Sequence, residues 1–324
     1  MYDAQLRNMS ELHKSCLTTI HWAFPMSDQP PICDYENSDY QSRFWEQADR
    51  AYEDAAEAVA LRHLLAGQSG EALLEIGAGA GRNTPRYHGY RKIVLLDYSR
   101  TMLRQAQERL GNSERYLFVA GNAYNLPFQS GVFDAATMIR VLHHMAQPAE
   151  VLHETARVLR TNGIFILEFA NKRNLKAILR WLLRRQDWNP FSPEPVEFAP
   201  LNFDFHPRRV WEWLESSGFE IEQIRTVSHY RHPLFKKLVP LKLLVALDAI
   251  AQPTGKWWQL SPSVFVRARL HSQKQATAPK FPEAFRCPKC GSSPLEDKGD
   301  HLLCPTCGAR WRVHDGIYDF KDPM

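Results

Sequence analysis

The stretch Ala72-Leu73-Leu74-Glu75-Ile76-Gly77-Ala78-Gly79-Ala80-Gly81 runs from an apolar segment into three glycines at alternate positions. The apolar run predicts a buried strand, and the glycines predict a tight turn whose bare backbone lets a ligand approach closely before a helix begins. Three features narrow the ligand. The spacing is GxGxG followed by Arg82 and Asn83, whereas a dinucleotide fold places a third small residue one position later for helix packing. Glu75 lies inside the motif, where a carboxylate repels a pyrophosphate but suits a ligand carrying an ammonium and a sulfonium. Asp97 closes the next strand, 20 residues after Gly77, where a carboxylate can accept both hydroxyl protons of a ribose.

Outward from this loop, strands and helices alternate. Residues 92–97, 116–120, 133–139 and 164–169 read as strands two to five. Ser99 reads as the N-cap of a helix through Leu110, and residues 151–159 form a second helix that Gly163 interrupts. Upstream, residues 40–65 carry small and apolar side chains at helical spacing. The alternation predicts an α/β fold, a Rossmann-like, doubly wound parallel sheet with helices on both faces. Beyond strand five come a basic amphipathic helix (171–185), a Pro-rich loop (188–200), a helix (208–217) ended by Gly218 and a strand (219–224). A Leu-rich helical stretch interrupted by Pro240 (234–250) and a last strand (263–270) follow. Residues 1–37 read as a polar arm, 38–270 as the main domain, 271–283 as a linker and 284–324 as a small C-terminal domain.

A chain of 324 residues accommodates one large domain and a small one. A hydrophobic fraction of 44% with 23% charged residues excludes wholesale disorder. A net charge of +4 is too small to imply nucleic acid by itself. No apolar run approaches the roughly 18 residues of a transmembrane helix, and the N-terminus lacks the layout of a signal peptide. Four of the six cysteines form two CxxC pairs, the pattern of a metal site in a reducing compartment, so a cytoplasmic location is expected.

Taken together, these residues resemble the class I S-adenosylmethionine-dependent methyltransferases over roughly residues 40–270. Glu75 to Gly81 matches the family's first motif and Asp97 its second. Gly121-Asn122-Ala123 with Leu126-Pro127-Phe128 matches the third, which contacts adenine. The stretch from Phe133-Asp134 to His144 matches the fourth, and Arg157-Val158-Leu159 with Gly163 matches the approach to strand five. The resemblance implies S-adenosylmethionine as cofactor, held by Glu75, Gly77, Gly79, Gly81, Asp97, Asn122 and Ala123, with Tyr98 placed to stack on adenine. The family often has an acid where Asn122 stands; an amide oxygen can still accept from the adenine amino group.

Methyl transfer from a sulfonium is an in-line displacement, so alignment and a dry pocket carry most of the catalysis. A general base is needed only where the acceptor must lose a proton. Arg140, His143 and His144 at the end of strand four are the candidate catalytic residues, with Glu168, Asn171 and Lys172 at the end of strand five. In related enzymes the N-terminal helix folds over the donor, which makes Tyr40, Trp45 and Tyr52 candidates for a lid. The basic, aliphatic helices at 174–185 and 234–250 point to an apolar or lipid-like acceptor, or to contact with an anionic membrane surface. This layout is similar to the ubiquinone/menaquinone-type C-methyltransferases.

Cys287-Pro288-Lys289-Cys290-Gly291 and Cys304-Pro305-Thr306-Cys307-Gly308 are separated by 13 residues. Two such knuckles supply four thiolates, the donor set of a closed, structural Zn²⁺ site. A segment this short cannot bury enough surface alone, so the metal is expected to supply folding energy. The piece resembles the small zinc-ribbon proteins that bind and activate methyltransferases, here fused in cis. Two further functions are expected to compete with the small-molecule reading: an RNA or protein methyltransferase that recognises its substrate through the ribbon, and a donor-binding scaffold without turnover.

Overall fold

The computed structural model describes residues 30–36, 50–111, 113–271 and 281–324. Helix α1 (Ala51–Leu64) leads into β1 (Gly70–Ile76), whose last five residues are all buried because both faces of the strand are covered. Then follow β2 (Tyr90–Asp97), α2 (Arg100–Leu110), β3 (Tyr116–Ala120), β4 (Phe133–Met138), α3 (Pro148–Val158) and β5 (Leu159–Ala170). Strand β1 is central and pairs in parallel with β2 and β4; β3 pairs in parallel with β2, and β5 with β4. The five parallel strands and the capping role of Ser99, whose hydroxyl accepts from the Met102 amide at 3.2 Å, agree with the sequence pattern.

The second half departs from it. Helix α4 covers only Leu175–Leu182, capped by the Asn174 side chain, which accepts from the Ala177 amide at 2.9 Å. The Pro-rich segment read as loop contains a hairpin, β6 (Val196–Ala199) and β7 (Asn202–Asp204). After α5 (Pro207–Ser216) and β8 (Phe219–Val227), Pro240 splits the Leu-rich stretch into α6 (Pro233–Leu238) and α7 (Leu241–Ala251). The last strand of the main domain, β9 (Ser263–Leu270), lies between β5 and β8 and is antiparallel to both, so the sheet is not wholly parallel. The cause is topological: residues 228–262 leave and re-enter the sheet at the same end, and a same-end connection reverses the strand direction. That end is the carboxyl end of β1–β5, so α6 and α7 are placed over the ligand side of the sheet.

Most of the linker expected at 271–283 lies outside the described residues, and the segment beyond it joins the main sheet. Its strands β10 (Glu296–Asp297), β11 (His301–Leu303), β12 (Arg310–His314) and β13 (Ile317–Asp319) form an antiparallel meander. Strand β13 pairs in parallel with β3, which makes one sheet of eleven strands in the order β10-β11-β12-β13-β3-β2-β1-β4-β5-β9-β8. The cores merge as well. Phe285 is fully buried, lies 5.8 Å from Phe128 of the main domain, and sits 5.0 Å from Phe320 and 4.9 Å from Tyr318.

Because this aromatic cluster is shared, Phe285→Ala is expected to cost about 3–5 kcal/mol. The loss should appear as a downward shift of one unfolding transition for the whole chain, followed by calorimetry. A separate early transition that leaves the rest of the melt unchanged would contradict a common core.

Candidate functional site

The cleft at the end of β1 is shaped by backbone. Gly77, Gly79 and Gly81 have φ values of 68°, 55° and 70°, a region that side chains with a Cβ rarely adopt. A Cβ on Gly77 would sit 2.2 Å from Cγ2 of Val141, whereas one on Gly79 would meet nothing within 4 Å. The Gly79 position therefore opens onto the cleft, as a cradle for a ligand requires. The Gly79 amide donates to Oδ2 of Asp97 at 2.8 Å, and the Ser99 amide donates to Oδ1 at 2.9 Å. Burial lifts the recessed Asp97 carboxyl to about 6 even though the two amides pull it down. Glu75 lines the same cleft; its oxygens accept from the Thr84 hydroxyl at 2.6 Å and the Tyr87 hydroxyl at 3.2 Å. Burial lifts Glu75 to about 7. Two recessed carboxyls beside an open glycine turn form a pocket that favours a cationic ligand bearing hydroxyl groups.

Helix α1 closes one side of this pocket through charges that the sequence did not single out. Glu57 is fully buried and accepts from Nε of Arg140 at 2.7 Å and from NH2 of Arg82 at 2.8 Å. Burial alone would raise the Glu57 carboxyl, but the two guanidinium groups hold it below its ordinary range. Arg82 also pairs with Asp54, which is shared with Arg86 at 2.7 Å. The lid candidates fare differently. Tyr40 and Trp45 lie outside the described residues. Tyr52 is buried, donates to Asp248 at 2.9 Å and accepts from the Tyr230 amide at 3.0 Å, so it ties α1 to α7.

At the end of β4, Arg140 has a φ of 61°, and its amide donates to Oε2 of Glu168 at 2.8 Å. Glu168 also accepts from the Ser263 hydroxyl at 2.5 Å, and burial raises its carboxyl. His144 places Nδ1 3.0 Å from the Leu201 carbonyl and Nε2 3.1 Å from the Tyr35 hydroxyl. A carbonyl can only accept, so Nδ1 carries the proton and Nε2 accepts from Tyr35. His143 packs with its ring centroid 4.0 Å from that of His144, and its buried Nδ1 has no partner among the described residues. Burial, then His144 and Arg140, hold His143 well below the ordinary histidine range, so the ring is neutral. Asn171 and Lys172 serve the scaffold. The Asn171 amide donates to the carbonyls of Gln259 and Ser261, and the Lys172 ammonium to those of Ser192 and Glu194. Asp204, on the unanticipated hairpin, is lifted to about 6 by burial.

The third wall joins the main domain to the C-terminal segment. Oδ1 of Asn122 accepts from the Tyr124 amide at 2.9 Å, which shapes the turn that carries Ala123. Asn125, in the same loop, donates to the Pro288 carbonyl at 2.8 Å and accepts from Arg286 at 3.0 Å. The Phe320 amide donates to the Ala120 carbonyl at 2.7 Å, and the Lys321 ammonium lies 4.0 Å from the centre of the Tyr98 ring. Lys321 is also paired with Asp34 at 3.3 Å and Glu36 at 3.6 Å. Glu36 accepts from the amides of Arg100 and Thr101 at the start of α2. Part of the segment read as an arm, residues 30–36, is therefore built into the site's rim. The roles of Lys321, Asp34 and Glu36 had no signal in the sequence, because each depends on a contact between distant parts of the chain.

The Sγ atoms of Cys287, Cys290, Cys304 and Cys307 all lie within 4.8 Å of one another, with Cys287–Cys307 at 3.7 Å and Cys290–Cys304 at 3.5 Å. Tetrahedral Zn–S bonds of about 2.3 Å place sulfurs about 3.8 Å apart, so the cluster fits the ion. Each knuckle is closed by a glycine amide, Gly291 to the Cys287 carbonyl at 2.8 Å and Gly308 to that of Cys304 at 2.9 Å.

Comparisons with known proteins agree with this geometry. The family described as "Methyltransferase domain" matches residues 74–167. A demethylmenaquinone methyltransferase of Thermobifida fusca is 31% identical over 193 residues, covering 55% of this chain and 72% of the relative. One from Thermotoga maritima is 31% identical over 168 residues, covering 47% of this chain and 71% of the relative. With the namesake from Clavibacter sepedonicus the match is 34% over 114 residues, 35% of this chain and 46% of the relative, so the chain spans about half of that protein. Among solved structures, a putative S-adenosylmethionine dependent methyltransferase from Listeria monocytogenes superposes with a TM-score of 0.50 at 17% identity, covering 68% of this chain and 99% of that one. A chain from the complex between the Haloferax volcanii Trm112 methyltransferase activator and a putative methyltransferase gives 0.50 at 15%, covering 72% and 98%. The structural likenesses establish the fold alone.

Two outcomes follow from the geometry. Glu75 and Asp97 ionise at about 7 and about 6, and a cationic ligand favours their charged forms. Ligand affinity, followed by calorimetry with S-adenosylmethionine, should therefore rise with pH through that window and level off above it. Fold stability without ligand should change in the opposite sense, because both groups ionise later in the folded chain than in the unfolded one. Asp97→Asn should weaken binding at every pH and remove the lower step; a wild-type affinity indifferent to pH would contradict this. Second, Cys304→Ser or a metal chelator should weaken the same binding as well as disorder residues 284–324, since the knuckle at Cys287-Pro288 holds the Asn125 loop. Undiminished affinity after chelation would show the two sites to be independent.

Proposed function

The chain belongs to the S-adenosylmethionine-dependent methyltransferases, and from that premise we propose that it methylates an apolar, lipid-like small molecule by in-line displacement. The observation that carries the proposal is the placement of the insert at 171–262. Its parts at 171–206 and 228–262 lie at the carboxyl ends of β4 and β5, where acceptors lie in open α/β sheets. The names of the Thermobifida and Thermotoga relatives support a quinone-type acceptor of the same class.

In this reading Asp97 accepts the ribose hydroxyls, Glu75 faces the cationic end, and Tyr98, Asn122 and Ala123 border adenine. Gly77, Gly79 and Gly81 keep the backbone close and unobstructed. When bound, S-adenosylmethionine supplies a methyl group on a positively charged sulfur. Positioning and exclusion of water then supply most of the acceleration, on the order of 7–11 kcal/mol. The methyl carbon would bond to the acceptor, with the electron pair of the carbon–sulfur bond left on sulfur. His143, neutral and with an unpaired Nδ1, accepts the proton the acceptor gives up. Arg140, held by Glu57 and Glu168, positions the strand end, and His144 anchors residue 35. The four cysteines hold Zn²⁺ as a structural ion, an assignment that fits a reducing, cytoplasmic setting.

The reading in which the ribbon recognises RNA or protein fits less well, because the ribbon joins the sheet at β3, the edge remote from the insert. Labelled S-adenosylmethionine incubated with cell extract and partitioned between organic solvent, RNA and protein should leave label in the organic phase. Label in RNA or protein alone would overturn the proposal. With the acceptor in hand, His143→Ala should lower kcat by about 10²–10⁴ while donor affinity is retained; an unchanged rate would remove His143 from the mechanism.

A further inference from the structure

Helices α4, α6 and α7 carry their apolar side chains outward. In α4 the only buried residue is Ala177, whereas Leu175, Leu179 and Leu182 are exposed, as is Leu183 just beyond. Helix α6 buries nothing, and α7 buries only Leu244 and Asp248. Leu238 is 70% exposed, Ile250 77% and Trp257 68%, with Trp258 beside it at 6.4 Å between ring centroids. Scattered exposed leucines are ordinary, but a concentration of this size marks an interaction face. The pieces are joined: α7 runs through the turn Gln252–Lys256 into Trp257, and the Leu175 amide at the start of α4 donates to the Leu260 carbonyl at 2.8 Å. Arg231, just before α6, pairs with Glu53 at 3.4 Å and interacts electrostatically with Arg140 and Glu168 at the ends of β4 and β5.

The charges on this face choose its occupant. Arg184, Arg185, Lys237, Lys242 and Lys256 are exposed along it. Asp248, the one acid of α7, is buried and engaged by Tyr52, His229 and Gln252. A second copy docking the same face across a two-fold axis would set these cations against one another. An anionic bilayer complements them, takes up aliphatic side chains below its headgroups and accommodates a tryptophan pair at headgroup depth. No helix of the described residues is long and apolar enough to cross a membrane, so the contact lies along the surface.

We propose that α4, α6, α7 and the Trp257-Trp258 turn form a docking face for an anionic lipid bilayer, at the end of the sheet where the acceptor enters. The proposal does not depend on the identity of the acceptor, and its test involves no methyl transfer, so either can fail without the other. The full-length chain is mixed with vesicles of equal parts phosphatidylglycerol and phosphatidylcholine, or of phosphatidylcholine alone, and sedimented. The anionic vesicles should bind it at least about tenfold more tightly, and added salt should weaken the binding. Lys237→Glu with Lys242→Glu should reduce binding about tenfold. Ile250→Ser with Trp257→Ala should reduce it on both vesicle types, and both variants should keep the wild-type affinity for S-adenosylmethionine as a check on folding. A chain that stays in the supernatant with anionic vesicles at low salt overturns the proposal. So does self-association through these residues without vesicle binding.

Discussion

The hydrogen bond from the Gly79 amide to Asp97 holds the rest of the site in place. It fixes a turn with three left-handed glycines at alternate positions, and it does so with a carboxylate that burial makes reluctant to ionise. The same group thus closes the loop, with each of its two oxygens already accepting one backbone amide. A side chain at Gly77 would strike Val141, so β1 and the turn after β4 approach closely only because that position is bare. The geometry of the glycine turn follows from these few backbone contacts.

A second constraint is the buried charge of Glu57. A carboxylate with no exposure is tolerable only when paired, and here two guanidinium groups share it, one from each loop that borders the cleft. The helix that carries Glu57 is therefore locked over the pocket by electrostatics. Its packing against α7, through Tyr52 and Asp248, transmits that placement to the acceptor side. Removing one partner of such a pair costs about 3–5 kcal/mol in comparable settings, because the remaining charge stays buried.

The C-terminal segment addresses two physical difficulties at once. A piece of some forty residues cannot build a sufficient core alone, and β3 without a neighbour would leave an open sheet edge. Pairing β13 with β3 covers that edge and extends the main core through Phe285 and Phe320. It also brings Lys321 over Tyr98, so the cysteine cluster and the donor pocket share a wall. The candidate metal-binding knuckle is linked to the catalytic domain by hydrogen bonds to the Asn125 loop and by this shared strand, and an ion held there would support both.

Local patterns were enough for the elements whose cause is local. The glycine turn, the Ser99 cap, the parallel strands and the two CxxC knuckles each announce themselves within a few residues, because glycine conformation, capping and thiolate spacing act at short range. The antiparallel course of β9, the hairpin at residues 196–204 and the outward-facing leucines of α4, α6 and α7 did not, because amphipathic spacing says that a helix has an apolar face but not what lies against it. The sequence by itself determined the α/β class, the donor-binding residues proposed for the methyltransferase site and the four candidate metal ligands. Only the tertiary structure decided that Glu57 binds the site together, that the cysteine segment continues the sheet and that Lys321 reaches Tyr98. Those are long-range pairings of opposite charge and apolar surface, and they exist only once the chain has folded.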